Sequence, residues 1–368
     1  MALLITEALT RRLGRRLMPA DIGLIGLPLP IGVRPTIVPP AIYLDRLPYQ
    51  LAPQFAPISS RLGSVARQGE AYKAGKAEVA CLNTTADLAA QFINHFGGGY
   101  AEAALSTFLA DTVAVWLQAP ASATVRSDIQ AGAARIFFIL ARMKIDQQKN
   151  GPAQYYLDTA QQLATEATDR STLAIVLRTQ STQAATLGHG STAFDLAEAA
   201  HSTAARTPDP VKGYALAQLG VAHAARSEAH AALSAIDTAQ ELAARTGHPP
   251  GPFTSYAPSA LYYQRARVMR HLGDHAATVT ALNSSLRHRS PTDLRGLALC
   301  TAALASLHLE VGHLDQACAR WSDFLNIYPR LRSTVADSAL TQLRQRLSPH
   351  RRHHAAAQLL DRATQLDR

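Results

Sequence analysis

From residue 124 onward, apolar positions recur at steps of three and four in helix-length stretches separated by short polar breaks. That spacing puts them on one face of an α-helix, so the pattern predicts helix, short turn, helix, again and again. Aligning the first helix of each pair on its closing turn brings Gln148, Gly188, Ser227, Gly273 and Gly312 into register, with spacings of 40, 39, 46 and 39 residues. Seven positions before each turn stands a small residue: Ala141, Ser181, Gly220, Ala266 and Ala305. Five positions after it stand Ala153, Ala193, Ala232, Thr278 and Ala317. Small side chains at fixed places in two successive helices let those helices cross closely, the signature of a helical-hairpin repeat. Glycine at the turn supplies the positive φ that ends the first helix. The long interval contains an insertion, TGHPPGPFTSYAP (Thr246 to Pro258), and a last helical pair near 332–347 and 353–366 is placed to cap the array.

The chain ahead of the array divides into three. Residues 1–24 hold an amphipathic helix, with Leu4, Ile5, Leu9, Leu13 and Leu17 on one face and arginines opposite. Residues 25–61 are proline-rich, with eight of the twenty prolines between Pro28 and Pro57. Proline removes a backbone donor and drives its predecessor out of helical space, so this stretch is expected as an extended linker or a loop lying on the body. Residues 62–123 predict two helices joined at Gly97-Gly98-Gly99, the second burying Leu105, Phe108, Leu109, Val113 and Trp116. The fold class is therefore all-α: an α-solenoid of tetratricopeptide-like helical hairpins over 124–368, with an N-terminal helix and a Pro-rich linker. The period exceeds the usual ~34 residues of tetratricopeptide repeats, and the aromatic anchors are mostly absent.

Composition agrees with many close-packed helices: 69 of 368 residues are alanine and 6% are aromatic. No apolar run reaches the ~18 residues of a membrane span. Arg11, Arg12, Arg15 and Arg16 follow the first apolar residues instead of preceding them, unlike a signal peptide, so the expected compartment is the cytoplasm. The net charge of +9 is carried unevenly, and residues 251–368 hold 15 basic against 8 acidic residues. That excess is the feature that would attract nucleic acid, an acidic peptide or an acidic protein face, against the plainer reading of a solvated arginine-rich surface.

Chemistry-bearing constellations do not assemble. Gly97-Gly98-Gly99 lacks the lysine and hydroxyl of a phosphate loop and reads as a corner between helices. His271 and His275 straddle Gly273, while His308, His313 and Cys318 scatter around Gly312, so neither group has metal-ligand spacing. Cys81, Cys300 and Cys318 read as small buried fillers. ALAQLGVAHAARSEAHAALSAI (Ala215 to Ile236) has the outline of a helix-turn-helix, but Arg226 falls where that motif needs an apolar residue, and the stretch fits the repeat register. HRRHH (His350 to His354) reads as a solvated turn. The sequence thus predicts no enzyme, no cofactor and no metal. It predicts a concave groove lined by the first helix of each pair, with Arg142, Arg178, Tyr214, Tyr263, Arg267, Arg270 and Glu310 as candidate ligand contacts. Arginine grips carboxylates through paired hydrogen bonds and tyrosine adds flat contact area, so the groove suits an acidic peptide or a carboxylate end.

Three phrases resemble one family. LGRRLMPADIGL (Leu13 to Leu24), FGGGYAEAALSTFLADTVAVWL (Phe96 to Leu117) and ATLGHGSTAFDLAEAA (Ala185 to Ala200) are similar to segments of actinobacterial Cro-like (XRE-type) helix-turn-helix transcriptional regulators. In those proteins a helix-turn-helix domain precedes a tetratricopeptide-like repeat domain. The resemblance covers about residues 3–24 and 78–330 and implies the repeat domain, here without the helix-turn-helix. It implies a regulatory sensor or interaction protein that binds a peptide, a small-molecule effector or a protein partner in its groove. The alternatives are a general protein–protein scaffold and a regulator that binds DNA through its basic C-terminal surface. Assembly as a homodimer is left open by all three readings.

Overall fold

The computed structural model of the chain describes residues 45, 47–51, 72–245, 253 and 256–366, so the amphipathic helix expected within 1–24 lies outside the described residues. The described chain begins its regular structure with α1 (Lys76–Phe96), then α2 (Glu102–Phe108) and α3 (Ala114–Gln118), joined by a π-helical turn over Leu109–Val113. Six hairpins follow: α4 (Ala123–Asp146) with α5 (Asn150–Glu166), α6 (Arg170–Thr186) with α7 (Gly190–Ala204), α8 (Asp209–Ala225) with α9 (Ala229–Ala244), α10 (Pro258–His271) with α11 (His275–Arg287), α12 (Leu294–Glu310) with α13 (Leu314–Ile327), and α14 (Thr334–Leu347) with α15 (His354–Gln365). Among the described residues there is no strand, and no helix is long and apolar enough to cross a membrane. The fold is an all-α solenoid of tetratricopeptide-like helical hairpins.

The local cause of the hairpins is the register of turns and small residues. Each aligned turn position has a left-handed backbone, with φ of 58° at Gln148, 85° at Gly188, 62° at Ser227, 79° at Gly273 and 83° at Gly312. One residue in that conformation stops the first helix and turns the chain back within a few residues. The small positions seven before and five after the turn are buried in all five hairpins. They face one another: the Ser181 hydroxyl donates to the Ala193 carbonyl at 2.7 Å, and a Cβ on Gly220 would lie 3.1 Å from the Ala232 carbonyl oxygen. Asp169, Asp274 and Asp293 cap the starts of α6, α11 and α12 by accepting from backbone N–H groups at 3.0, 2.8 and 2.9 Å.

Some burial expectations need correcting. Phe108 and Trp116 are only half-buried, because they pack edge-on against each other at 5.8 Å beside the π-helical turn and not inside the core. Cys81 is exposed on α1, whereas Cys300 and Cys318 are buried as expected. Part of the proline-rich stretch does lie on the body. Asp45 pairs with Lys144 and Lys149 at 2.8 Å each, and the Gln50 N–H donates to Gln154 at 2.8 Å. A Cβ on Gly151 would come within 1.6 Å of the Leu47 carbonyl oxygen, so glycine is what lets this strand of chain lie against α5.

The two ends of the array meet. Asp146, 0% exposed at the end of α4, accepts from the Gly98 N–H at 2.7 Å, the Ser333 hydroxyl at 2.7 Å and Arg295 Nε at 2.5 Å. Backbone bonds seal the same joint, Gly99 N–H to the Arg332 carbonyl at 3.0 Å and Arg332 N–H to the Phe96 carbonyl at 2.8 Å. The glycine corner is essential here. Gly97 takes φ of 85°, and a Cβ on Gly98 would meet the Met143 carbonyl oxygen at 2.5 Å. The expected open groove is therefore closed into a ring.

Two outcomes follow for stability. Gly188 has open space around it, so Gly188→Ala tests backbone strain alone and is expected to destabilise by about 1 kcal/mol, with Ser227→Gly stabilising by a similar amount, in denaturant unfolding. Asp146→Ala leaves Arg295 without its carboxylate and is expected to cost about 3 kcal/mol and to raise the radius of gyration measured by small-angle scattering.

Candidate functional site

The first helix of each hairpin faces the centre of the ring, and the space they enclose is a cavity of about 1050 Å³. Arg142 comes from α4, Arg178 from α6, Tyr214 from α8, and Tyr263 and Arg267 from α10. These five sequence-predicted residues are brought together on the wall. Arg270 and Glu310 are not. They lie outside the lining, where Glu310 takes hydrogen bonds from Arg270 at 2.8 Å and from Arg346 at 2.8 Å. Burial alone would raise the Glu310 carboxyl, but those two arginines hold it below its ordinary value. The difference is axial: Arg270 and Glu310 stand in the last turns of their helices, beyond the residues that line the cavity.

The lining also holds residues that the register did not show. Phe253 and Tyr256 of the insertion reach the cavity, each 6% exposed. Phe253 packs edge-on against Phe138 at 5.7 Å with the Arg135 guanidinium over its ring at 5.5 Å, and Tyr256 meets Tyr214 at 4.9 Å. Aromatic residues are scarce in this chain, and a pair of them in a loop insertion was the available sign. Arg289 precedes α12 and Arg295 lies in its first turn, both outside the repeat's inner positions.

Five arginines thus line one cavity, and among the described residues no aspartate or glutamate does. Two are neutralised from behind: Arg289 pairs with Asp293 at 2.5 Å and Arg295 with Asp146 at 2.5 Å. The other three have no carboxylate in ion-pair contact among the described residues. Arg142 donates to Asn94 at 3.1 Å, Arg267 donates to Gln264 at 3.1 Å, and Arg178 lies over the Tyr214 ring at 4.3 Å. Burial pushes the Arg142 guanidinium down from its ordinary value, and repulsion from Arg295 and Arg178 adds to this. Arg267 is pushed down by burial too, with Arg178 adding and Tyr263 opposing. An arginine starts so high that each stays charged at neutral pH, so the shifts mark burial first and mutual repulsion second rather than proton loss. Burial raises the phenols of Tyr256 and Tyr263, which keeps both as neutral donors.

Glutamines order the cavity wall. Gln218 accepts from Thr182 at 3.1 Å and from Gln264 at 3.3 Å, and it donates to Ser181 at 3.1 Å, linking α6, α8 and α10 through one side chain. Cys300, also on the lining, donates its thiol weakly to the Leu282 carbonyl at 3.6 Å, and burial pushes that thiol up, away from thiolate chemistry. Elsewhere, the His308 and His313 rings lie 6.0 Å apart, and among the described residues no group of three metal-ligating side chains gathers. The helix-turn-helix outline at Ala215 to Ile236 is the α8–α9 hairpin, with Arg226 exposed and stacked on Phe194 at 4.1 Å. The basic excess of the last third is divided: Arg267, Arg289 and Arg295 line the cavity, and Arg265, Arg270, Arg320 and Arg346 are paired with acids.

No family model and no curated protein sequence matches this chain. Similar solved structures include the crystal structure of the APC/C hetero-tetramer Cut9–Hcn1, at 17% identity and TM-score 0.40, covering 78% of this chain and 48% of that one. Two others are monomeric mutants of IFIT1, one with Gppp-AAAA at 13% identity and TM-score 0.44, the other with m7Gppp-AAAA at 14% and 0.42. Each of these covers 80% of this chain and 68% of that one. The chain spans about half the length of the Cut9–Hcn1 chain it matches.

Removing one of the crowded charges relieves repulsion. Arg142→Met is expected to raise the unfolding midpoint at low ionic strength by about 1 kcal/mol in stability, with the gain shrinking as added salt screens the cluster.

Proposed function

We propose that this chain is a regulatory binding module that takes an anionic ligand into the ring cavity. The observation that carries the reading is the convergence of Arg142, Arg178 and Arg267 on one cavity with no carboxylate in ion-pair contact among the described residues. Crowding like charges away from water destabilises a fold, and a bound anion turns that cost into affinity. A cavity of about 1050 Å³ suits a small molecule or the end of a peptide better than a long peptide lying in an open groove. The donors around it are guanidiniums, phenols and amides, and its thiol is held protonated, which favours binding over catalysis.

The regulatory part of the reading is supported by the resemblance of the three phrases to Cro-like regulators. In that role the ligand would be an effector and the ring a sensor acting on a partner protein. Arg295 both lines the cavity and holds Asp146 at the ring joint, so an anion beside it acts directly on the contact that closes the array. Ligand free energy can shift such a joint only by its difference in affinity between closed and open rings.

Differential scanning fluorimetry with acetate, citrate, pyrophosphate and an acidic tetrapeptide tests the reading. At least one anion is expected to raise the melting temperature of the native protein at low salt. The double variant Arg178→Glu/Arg267→Glu is expected to abolish that shift, and Arg351→Glu/Arg352→Glu on the exposed turn to retain it. No shift with any anion, or equal loss in both variants, would overturn the proposal.

A further inference from the structure

The cavity's charge and its vacant donors specify the ligand more closely, and this step rests on the anion-binding reading above. With Arg289 and Arg295 neutralised by Asp293 and Asp146, three positive charges remain on the wall, on Arg142, Arg178 and Arg267. A single carboxylate leaves two of them uncompensated. Two further groups are present without a partner. The Tyr256 hydroxyl is buried with no hydrogen-bond partner, on a residue only 6% exposed, and Arg178 Nε is buried with none. Leaving such buried groups unpaired is costly, so a ligand that accepts from them recovers free energy.

The Tyr256 ring and the Arg178 guanidinium both pack on the Tyr214 ring, at 4.9 and 4.3 Å, and Arg267 lines the same cavity. All three offer donors. Arg178 is held in place by the Tyr214 ring beneath it, and Arg267 by Gln264 at 3.1 Å, so the cluster is pre-organised before any ligand arrives. A compact group with several equivalent oxygens accepts from all of these donors at once, as neither an amide-rich peptide backbone nor a lone carboxylate does.

We propose that the effector carries a compact polyanionic head of two or three negative charges, a phosphoryl or polycarboxylate group, bound by Arg142, Arg178 and Arg267 with the Tyr256 hydroxyl as a further donor. Phosphoryl and polycarboxylate heads share this chemistry, and a calorimetric comparison separates them. Pyrophosphate and citrate are titrated in parallel against acetate and an acidic tetrapeptide with a free carboxyl end. At least one of the two polyanions is expected to bind about tenfold or more tightly than either comparator. The tighter of the two identifies the head group. Tyr256→Phe removes one hydroxyl without changing the packed ring and is expected to weaken that polyanion severalfold, while the ligand-free protein melts no lower than the native one because an unpartnered buried hydroxyl is gone. Arg267→Gln is expected to weaken it further.

Acetate or the tetrapeptide binding as tightly as both polyanions would overturn this inference while leaving the anion-binding proposal standing. So would full affinity in both Tyr256→Phe and Arg267→Gln. Absence of binding by all four probes would overturn both.

Discussion

The buried carboxylate of Asp146 is the contact on which the ring depends. A charge with 0% exposure carries a desolvation penalty of several kcal/mol and persists only when fully hydrogen-bonded. Here a backbone N–H, a hydroxyl and a guanidinium satisfy it, and they come from residues 98, 333 and 295. An α-solenoid normally has contacts only between neighbouring repeats. This one adds a non-local joint, which ties the glycine corner and the end of α4 to α12 and α14. The joint converts a concave surface into a cavity walled on all sides by the first helices but open to solvent.

Enclosure changes the physics of the residues inside. On an open groove, Arg142, Arg178 and Arg267 would be hydrated and weakly interacting. Within the ring all three are only partly exposed, they repel, and hydrogen bonds from them go to Asn94, Gln264 and little else. The insertion extends the wall by placing Phe253 and Tyr256 on the cavity lining. Aromatic burial there offsets part of the cost of the crowded charges, since each large ring removes much apolar surface from water.

Much of the scaffold was legible before any coordinates. The turn register singled out Gln148 and Ser227 as equivalent to glycines, and both adopt positive φ. Small residues at fixed offsets identified the helix crossings, because a close approach excludes large side chains whatever the distant context. Five of the seven candidate contacts reach the cavity for the same reason: helical periodicity fixes which face looks inward. Arg270 and Glu310 miss it because a position near the end of a helix can point inward in register and still stand outside the enclosed space.

What the sequence alone determined is local: helix lengths, left-handed turns, close crossings and the inward face are set by interactions within one or two hairpins. Only the tertiary structure decided that the array closes, that Asp146 meets residues nearly two hundred positions away in sequence, and that two aromatic residues of an insertion enter the cavity. Small rotations between successive hairpins add up along the solenoid, and no short-range pattern encodes their sum. Whether the ends meet, and hence which arginines are neutralised and which are left for a ligand, is a property of that accumulated geometry.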